Sequence, residues 1–256
     1  MNPSSALKDK VVFIQGAGRY PGPLLARAFA AQGAVVAACD LSPSLLNPLE
    51  KAATAMGGKI QGYVGDTSRG MPARALLDEV AGDLGPVEIL INNPRIAPYS
   101  TILKTDEWDW HHTIEANLNG PFLLMHLVGR QLTEQSRSGV IINLIDSLTP
   151  RLSSPGRAAY AASQMGLLAM TRAAIQEFMA YNILVYGVCL EEALDNSSAA
   201  KAPVPCRWTG EITPQEPALQ GFLSLEELIL RLCCPTTPIS PIQGQVFTGS
   251  TGLPQE

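Results

Sequence analysis

Three polar side chains at fixed spacing make proton transfer conceivable in this chain. Tyr160 and Gln164, the ends of "YAASQ", lie one helical turn apart, so a phenol and an amide share one helix face. Ser147 stands ahead of that helix, just after the apolar run "VIINLI" at 140–145. A hydroxyl at the carboxyl end of a strand opens on the crevice where α/β sheets hold ligands. A phenol exchanges protons near neutral pH when a fixed cation lowers its pKa, typically by ~1–3 units. Gln164 is neutral, and the absence of any lysine between Lys104 and Lys201 means that no shift of register restores the charge. A basic side chain set against the phenol, Arg95 or Arg157 for instance, would substitute for it. Taken singly, a helix tyrosine is usually packing and a loop serine a turn residue.

A second constellation points to a nucleotide. "QGAGRYPGPLLARAFAAQG" is a glycine-rich turn running from a strand into a helix. Main-chain N–H groups at such a helix start lack intrahelical partners and attract a pyrophosphate. Gly16 suits the tight turn, Gly22 the close packing of helix on strand, and Pro23 the first helical turn. The next strand ends at Asp40, whose carboxylate is placed to accept from ribose hydroxyls and to repel a 2′-phosphate. NAD(H) is therefore expected over NADP(H), with the guanidinium of Arg19 as a counter-signal. Methyltransferases also place an acid after the second strand, so adenosine binding alone does not choose the chemistry.

These residues need a scaffold, and the chain reads as one. Apolar runs at 11–15, 34–39, 60–64, 88–92, 140–145, 183–189 and 245–249 predict strands covered on both faces. Helical stretches at 23–32, 43–56, 70–84, 105–137 with a break near Gly120 and Pro121, 157–181 and 224–233 alternate with them. Such alternation builds a parallel α/β sheet wound right-handedly. At 256 residues one domain is expected over 1–256. Residues 191–222, rich in proline, form a candidate substrate loop or lid, or a surface excursion without a ligand role. Trp208, Phe222 and Leu223 would give it an apolar character.

Composition narrows the partners. A net charge of −5 without a Lys/Arg cluster leaves no basic surface for nucleic acid or an anionic membrane. No apolar run reaches the ~18 residues of a membrane helix. Cys39, Cys189, Cys206, Cys233 and Cys234 show no metal-type spacing with His111, His112 or His126, so no metal site is expected and the thiols read as buried in a reducing cytoplasm.

In order and spacing the chain resembles the short-chain dehydrogenase/reductase family over essentially its whole length. The matching pieces are "GAGRYPG", Asp40, "GDTS" with Asp66, "INNPRI" with Asn93, "NLNGPF", "DSLT", "PGRAAYAASQ" and "GQVFTG". The resemblance implies a single Rossmann-type doubly wound sheet of about seven strands. It also implies hydride exchange between a nicotinamide and a carbonyl or alcohol carbon. By that resemblance Tyr160 handles the proton, Ser147 bonds the substrate oxygen, with Asp146 beside it as a secondary candidate, and Asn117 supports a water-linked proton path. Gln164 falls at the usual lysine position, where it would still bond a ribose hydroxyl. Gly16, Arg19, Tyr20, Gly22, Asp40, Asp66, Asn93 and Gln164 fall where the cofactor binds.

Four departures from the family pattern face the ligand. Gln164 replaces the lysine, and Tyr20 replaces the glycine that lets the backbone approach the pyrophosphate. Pro94 and Arg95 fall beside the adenosine side of the cleft. Leu190 and Glu191 replace the usual Pro-Gly of the nicotinamide wall. Two functions follow: an NAD(H)-linked oxidoreductase on a small carbonyl or secondary alcohol, impaired by Gln164, or a non-catalytic dinucleotide-binding or structural or regulatory homologue. A methyltransferase is a distant alternative, because "YAAS" has no role there. A homodimer or homotetramer is expected through the helices at 117–137 and 157–181, which carry apolar residues beyond one core stripe.

Overall fold

The computed structural model describes residues 6–55, 57–146, 155–190, 229–230, 232–234 and 246–249. Among the described residues, seven strands form one parallel sheet: β1 (Val11–Gln15), β2 (Val35–Asp40), β3 (Lys59–Val64), β4 (Ile89–Asn92), β5 (Gly139–Asp146), β6 (Ile183–Leu190) and β7 (Val246–Gly249). Their order is β3-β2-β1-β4-β5-β6-β7. The chain therefore winds outward from β1 to β3, returns, and winds the other way from β4. The crevice between the carboxyl ends of β1 and β4 is the topological switch point, where open α/β sheets bind ligands.

Among the described residues, the sheet is covered by the helices α1 (Gly22–Ala31), α2 (Pro43–Ala55), α3 (Gly70–Leu84), α4 (Glu107–Ile114), α5 (Gly120–Glu134) and α6 (Ala158–Met179). Successive strand side chains point to opposite faces, so β1 feeds two cores. Val12 and Ile14 pack with Leu25 and Phe29 of α1, whereas Val11 and Phe13 pack with Leu76 and Val80 of α3 and Leu124 and Val128 of α5. Each such side chain contributes roughly 1.5–3 kcal/mol on burial. Ile229, Leu232, Cys233 and Cys234 join the first of these cores.

Two expectations change, and a third lies mostly outside the described residues. β3 is not covered on both faces: Lys59, Gln61 and Val64 are exposed, because it is the sheet's edge strand. The helical stretch 105–137 is not broken at Gly120 and Pro121; α4 runs through a π-helical turn, Glu115–Asn119, directly into α5. Pro121, at the start of α5, gives the preceding turn no N–H, and the irregular π-helical stretch lies directly before it. The helix expected at 224–233 is described only at residues 229, 230 and 232. Ser147, Glu191, Cys206, Trp208, Phe222, Leu223 and the segment 191–222 lie outside the described residues.

Candidate functional site

At the β2 side of the crevice the glycine turn is held by contacts that exclude side chains. Gly16 has φ +67°, and a Cβ there would come within 2.4 Å of the Asn93 carbonyl oxygen. A Cβ on Gly22 would meet the carbonyl oxygens of Gly16 and Ala17 at 2.7 Å. Asn93, at the end of β4, donates through Nδ2 to the carbonyls of Gly16 and Arg19, both at 3.0 Å. Asp40 accepts from the Gly18 N–H at 3.2 Å and the Ser42 N–H at 3.1 Å. A carboxylate has about four lone-pair positions, so acceptor capacity remains for a diol. A cavity of ≈ 140 Å³ lies here, lined among others by Gly16, Arg19, Asp40, Asp66, Asn93 and Arg95. Asp66 also accepts from Ser68 N–H and Oγ ahead of α3. Burial first, then Asp40 and Asp66, push the thiol of Cys39, beside Asp40, up to about 12, away from the thiolate.

The turn departs from the pyrophosphate cradle that its glycines led one to expect. The Arg19 N–H bonds the Gly16 carbonyl, Gly22 bonds Arg19, and Leu24 and Leu25 both bond Pro21. Pro21 and Pro23 have no N–H to offer. Tyr20 has no left-handed φ, and its ring is about half exposed rather than lining the cavity. Gly18 was missed in the sequence reading; its Cβ would meet Leu45 at 2.4 Å and Asp40 at 3.0 Å, and its two-residue spacing from Gly16 was the available signal.

At the β5 side the centre is Asp146. Its Oδ2 accepts from the Tyr160 hydroxyl at 2.6 Å, and its Oδ1 pairs with Arg95 Nη2 at 2.5 Å. Its own N–H donates to Gln164 Oε1 at 2.9 Å. Tyr160 and Gln164 share a face of α6 and are each only 1% exposed. Gln164 thus spends its carbonyl on the β5 backbone, and its Nε2 has no partner among the described residues. Arg95 does not stay on the adenosine side: besides Asp146 it donates through Nη1 to the Tyr20 carbonyl at 2.9 Å, spanning the crevice. Burial, then the Asp146 charge, hold the Tyr160 phenol well above its ordinary pKa, although Arg95 pulls the other way. Arg157 is engaged elsewhere, donating to the Ala97 carbonyl and lying 5.6 Å from the Tyr99 ring centre.

Asn117 sits in the π-helical turn, and its side chain bonds both ways with the backbone of Ile96 and donates to Ser163 Oγ. It thereby fixes the segment that carries Arg95. Leu190, at the end of β6, is buried in the sheet's core. Among the described residues no group of His, Cys, Asp and Glu could hold a metal, and no helix is long and apolar enough to cross a membrane.

The short chain dehydrogenase family model matches residues 10–195. This chain belongs to that family. An uncharacterized oxidoreductase of Thermotoga maritima is 34% identical over 182 residues, 71% of each chain. Among solved structures, NAD+-bound xylitol dehydrogenase superposes with a TM-score of 0.66 at 25% identity, over 72% of this chain and 70% of that one. A metagenomic short-chain oxidoreductase in complex with NADP gives 0.68 at 26% identity, over 73% and 84%. Short-chain dehydrogenases use nicotinamide dinucleotides, and solved relatives carry both kinds. Membership leaves the methyltransferase reading without support.

The residues of this short-chain dehydrogenase fit such a cofactor unevenly. Asp40, with acceptor capacity to spare, and Asn93, whose buried Oδ1 has no partner, suit the adenosine half. Toward β5 the path is crossed by the Arg95–Asp146 pair, with side chains 9% and 6% exposed. The nicotinamide half does not fit that arrangement.

Proposed function

We propose that this family member is a nucleotide-binding protein withdrawn from tyrosine-based proton transfer. An adenosine nucleotide enters beside Asp40, and Tyr160 does not act as acid or base at neutral pH. The observation that carries this reading is the Tyr160 hydroxyl given to a carboxylate already ion-paired with Arg95. A general acid or base works best with a pKa near the operating pH, and both burial and Asp146 move this phenol away from it. The position of Asp40 supports NAD-type over NADP-type adenosine, since its charge would repel a 2′-phosphate. The purified protein is expected to oxidise no NADH across a broad carbonyl panel from acid to alkaline pH. Ordinary turnover by the unmodified chain would overturn the reading.

One observation favours the second reading, an oxidoreductase on a small carbonyl or secondary alcohol: the Arg95 guanidinium lies close enough to the phenol to lower its pKa. On that reading Arg95 is the substitute cation, and Arg95→Met abolishes turnover that the unmodified protein possesses. Either way we expect a homodimer or homotetramer, supported by Phe122 and Met179, which are exposed on α5 and α6. Light scattering at micromolar concentration tests it, and a monomer would contradict it.

A further inference from the structure

We infer that the crevice takes a ribonucleoside 5′-phosphate of the AMP or ADP class in preference to a whole nicotinamide dinucleotide, with Arg95 as the residue that sets this choice. The inference rests on the proposed nucleotide site beside Asp40.

Three independent features lead there. The first is a built pocket at one end only. The cavity beside Asp40 holds acceptors for a ribose diol and the buried, unpartnered Asn93 Oδ1. It is bounded by Arg95 and takes no lining from Asp146, Tyr160 or Gln164. At ≈ 140 Å³ it is small beside the ~300–1,000 Å³ of ordinary small-molecule sites, and suits a fragment of a dinucleotide.

The second is the donor accounting of the turn. The N–H groups of Arg19, Gly22, Leu24 and Leu25 are spent on carbonyls within the turn and first helical turn, and Pro21 and Pro23 contribute none. A pyrophosphate that bridges two nucleosides normally draws on such groups. At the cavity stands the exposed Arg19, whose guanidinium makes no ion pair among the described residues. A single exposed guanidinium can meet a phosphate through charge-assisted, often bidentate hydrogen bonds.

The third is the crossing itself. A dinucleotide anchored at β2 reaches β5 by passing the ends of β1 and β4. Arg95 is stretched over that interval, from the Tyr20 carbonyl beyond β1 to Asp146 at the end of β5. Admitting the nicotinamide half means parting a buried ion pair, which leaves two charges to be satisfied and draws that cost from binding. Ligands that end at the phosphates incur no such cost.

Calorimetric titration of the full-length protein with AMP, ADP, ADP-ribose and NADH tests this. AMP and ADP are expected to bind at least as tightly as NADH. In the double variant Arg95→Ala with Asp146→Asn, which leaves neither charge buried alone, the affinity for NADH relative to AMP should rise by about tenfold or more, and an unchanged ratio overturns the inference. Should that variant not fold, the ranking in the unmodified protein decides: NADH more than about tenfold tighter than AMP overturns the inference and leaves the nucleotide site standing. Binding of none of the four ligands overturns the nucleotide site and this inference together.

Discussion

The two ends of the crevice each place an aspartate at the carboxyl end of a buried strand, yet the two carboxylates live differently. Asp40, ending β2, accepts backbone N–H groups from Gly18 and Ser42 and has no ion-pair partner among the described residues. Asp146, ending β5, accepts from two side chains, the Arg95 guanidinium and the Tyr160 phenol. One acid meets no cationic side chain among the described residues, and the other is matched internally. Position in the fold is therefore a poor guide to role; the neighbours that reach the carboxylate decide it.

The comparison breaks most visibly if either member of the buried pair is removed. Arg95→Ala or Asp146→Ala should each cost about 3–5 kcal/mol of stability by leaving a lone buried charge, and a double replacement by apolar residues should recover most of it. Urea denaturation reads this, and single variants as stable as the parent would show that the pair is not closed in solution. At the other end, Asp40→Ala should weaken AMP binding by about 1.5–3 kcal/mol, the worth of hydrogen bonds to a charged acceptor, as read by calorimetry.

A smaller effect concerns pH. The Tyr160 phenol is raised above its unfolded value, so the stability it adds is fully present below about pH 10 and lost as pH climbs beyond that. Tyr160→Phe should therefore flatten part of the alkaline loss of stability. Phenolate absorbance should also appear in stages, since Tyr63 and Tyr186 are raised too, both chiefly by burial, Tyr186 to about 12. Smallest of all, Gln164→Lys alone should leave carbonyl reduction at background, because Asp146 and not position 164 receives the phenolic proton. Rescue by that one change would mean that the loss of the lysine, rather than the Arg95–Asp146 closure, silences Tyr160.

Much of the adenosine end was legible in the sequence because its signals are local. A glycine at φ +67°, a turn feeding a helix and an acid ending the next strand are each set by a few neighbouring residues. Pro21 and Pro23 were visible in the sequence, but only the folded turn shows the N–H groups of Arg19, Gly22, Leu24 and Leu25 bonded to neighbouring carbonyls. The edge position of β3 was equally hidden, since strand order is not written in any one strand.

The sequence by itself determined the parallel α/β sheet, the glycine turn, Asp40 and the neutral residue at 164, because hydrophobic periodicity and turn chemistry act over short stretches of chain. Only the tertiary structure decided the fate of Tyr160. Asn92 of β4 pairs in register with Asn143 of β5, and Arg95 and Asp146 each lie three residues beyond that pair, which brings a cation and an anion 51 residues apart into contact. That contact follows from strand register and burial together, and spacing along the chain carries no trace of it.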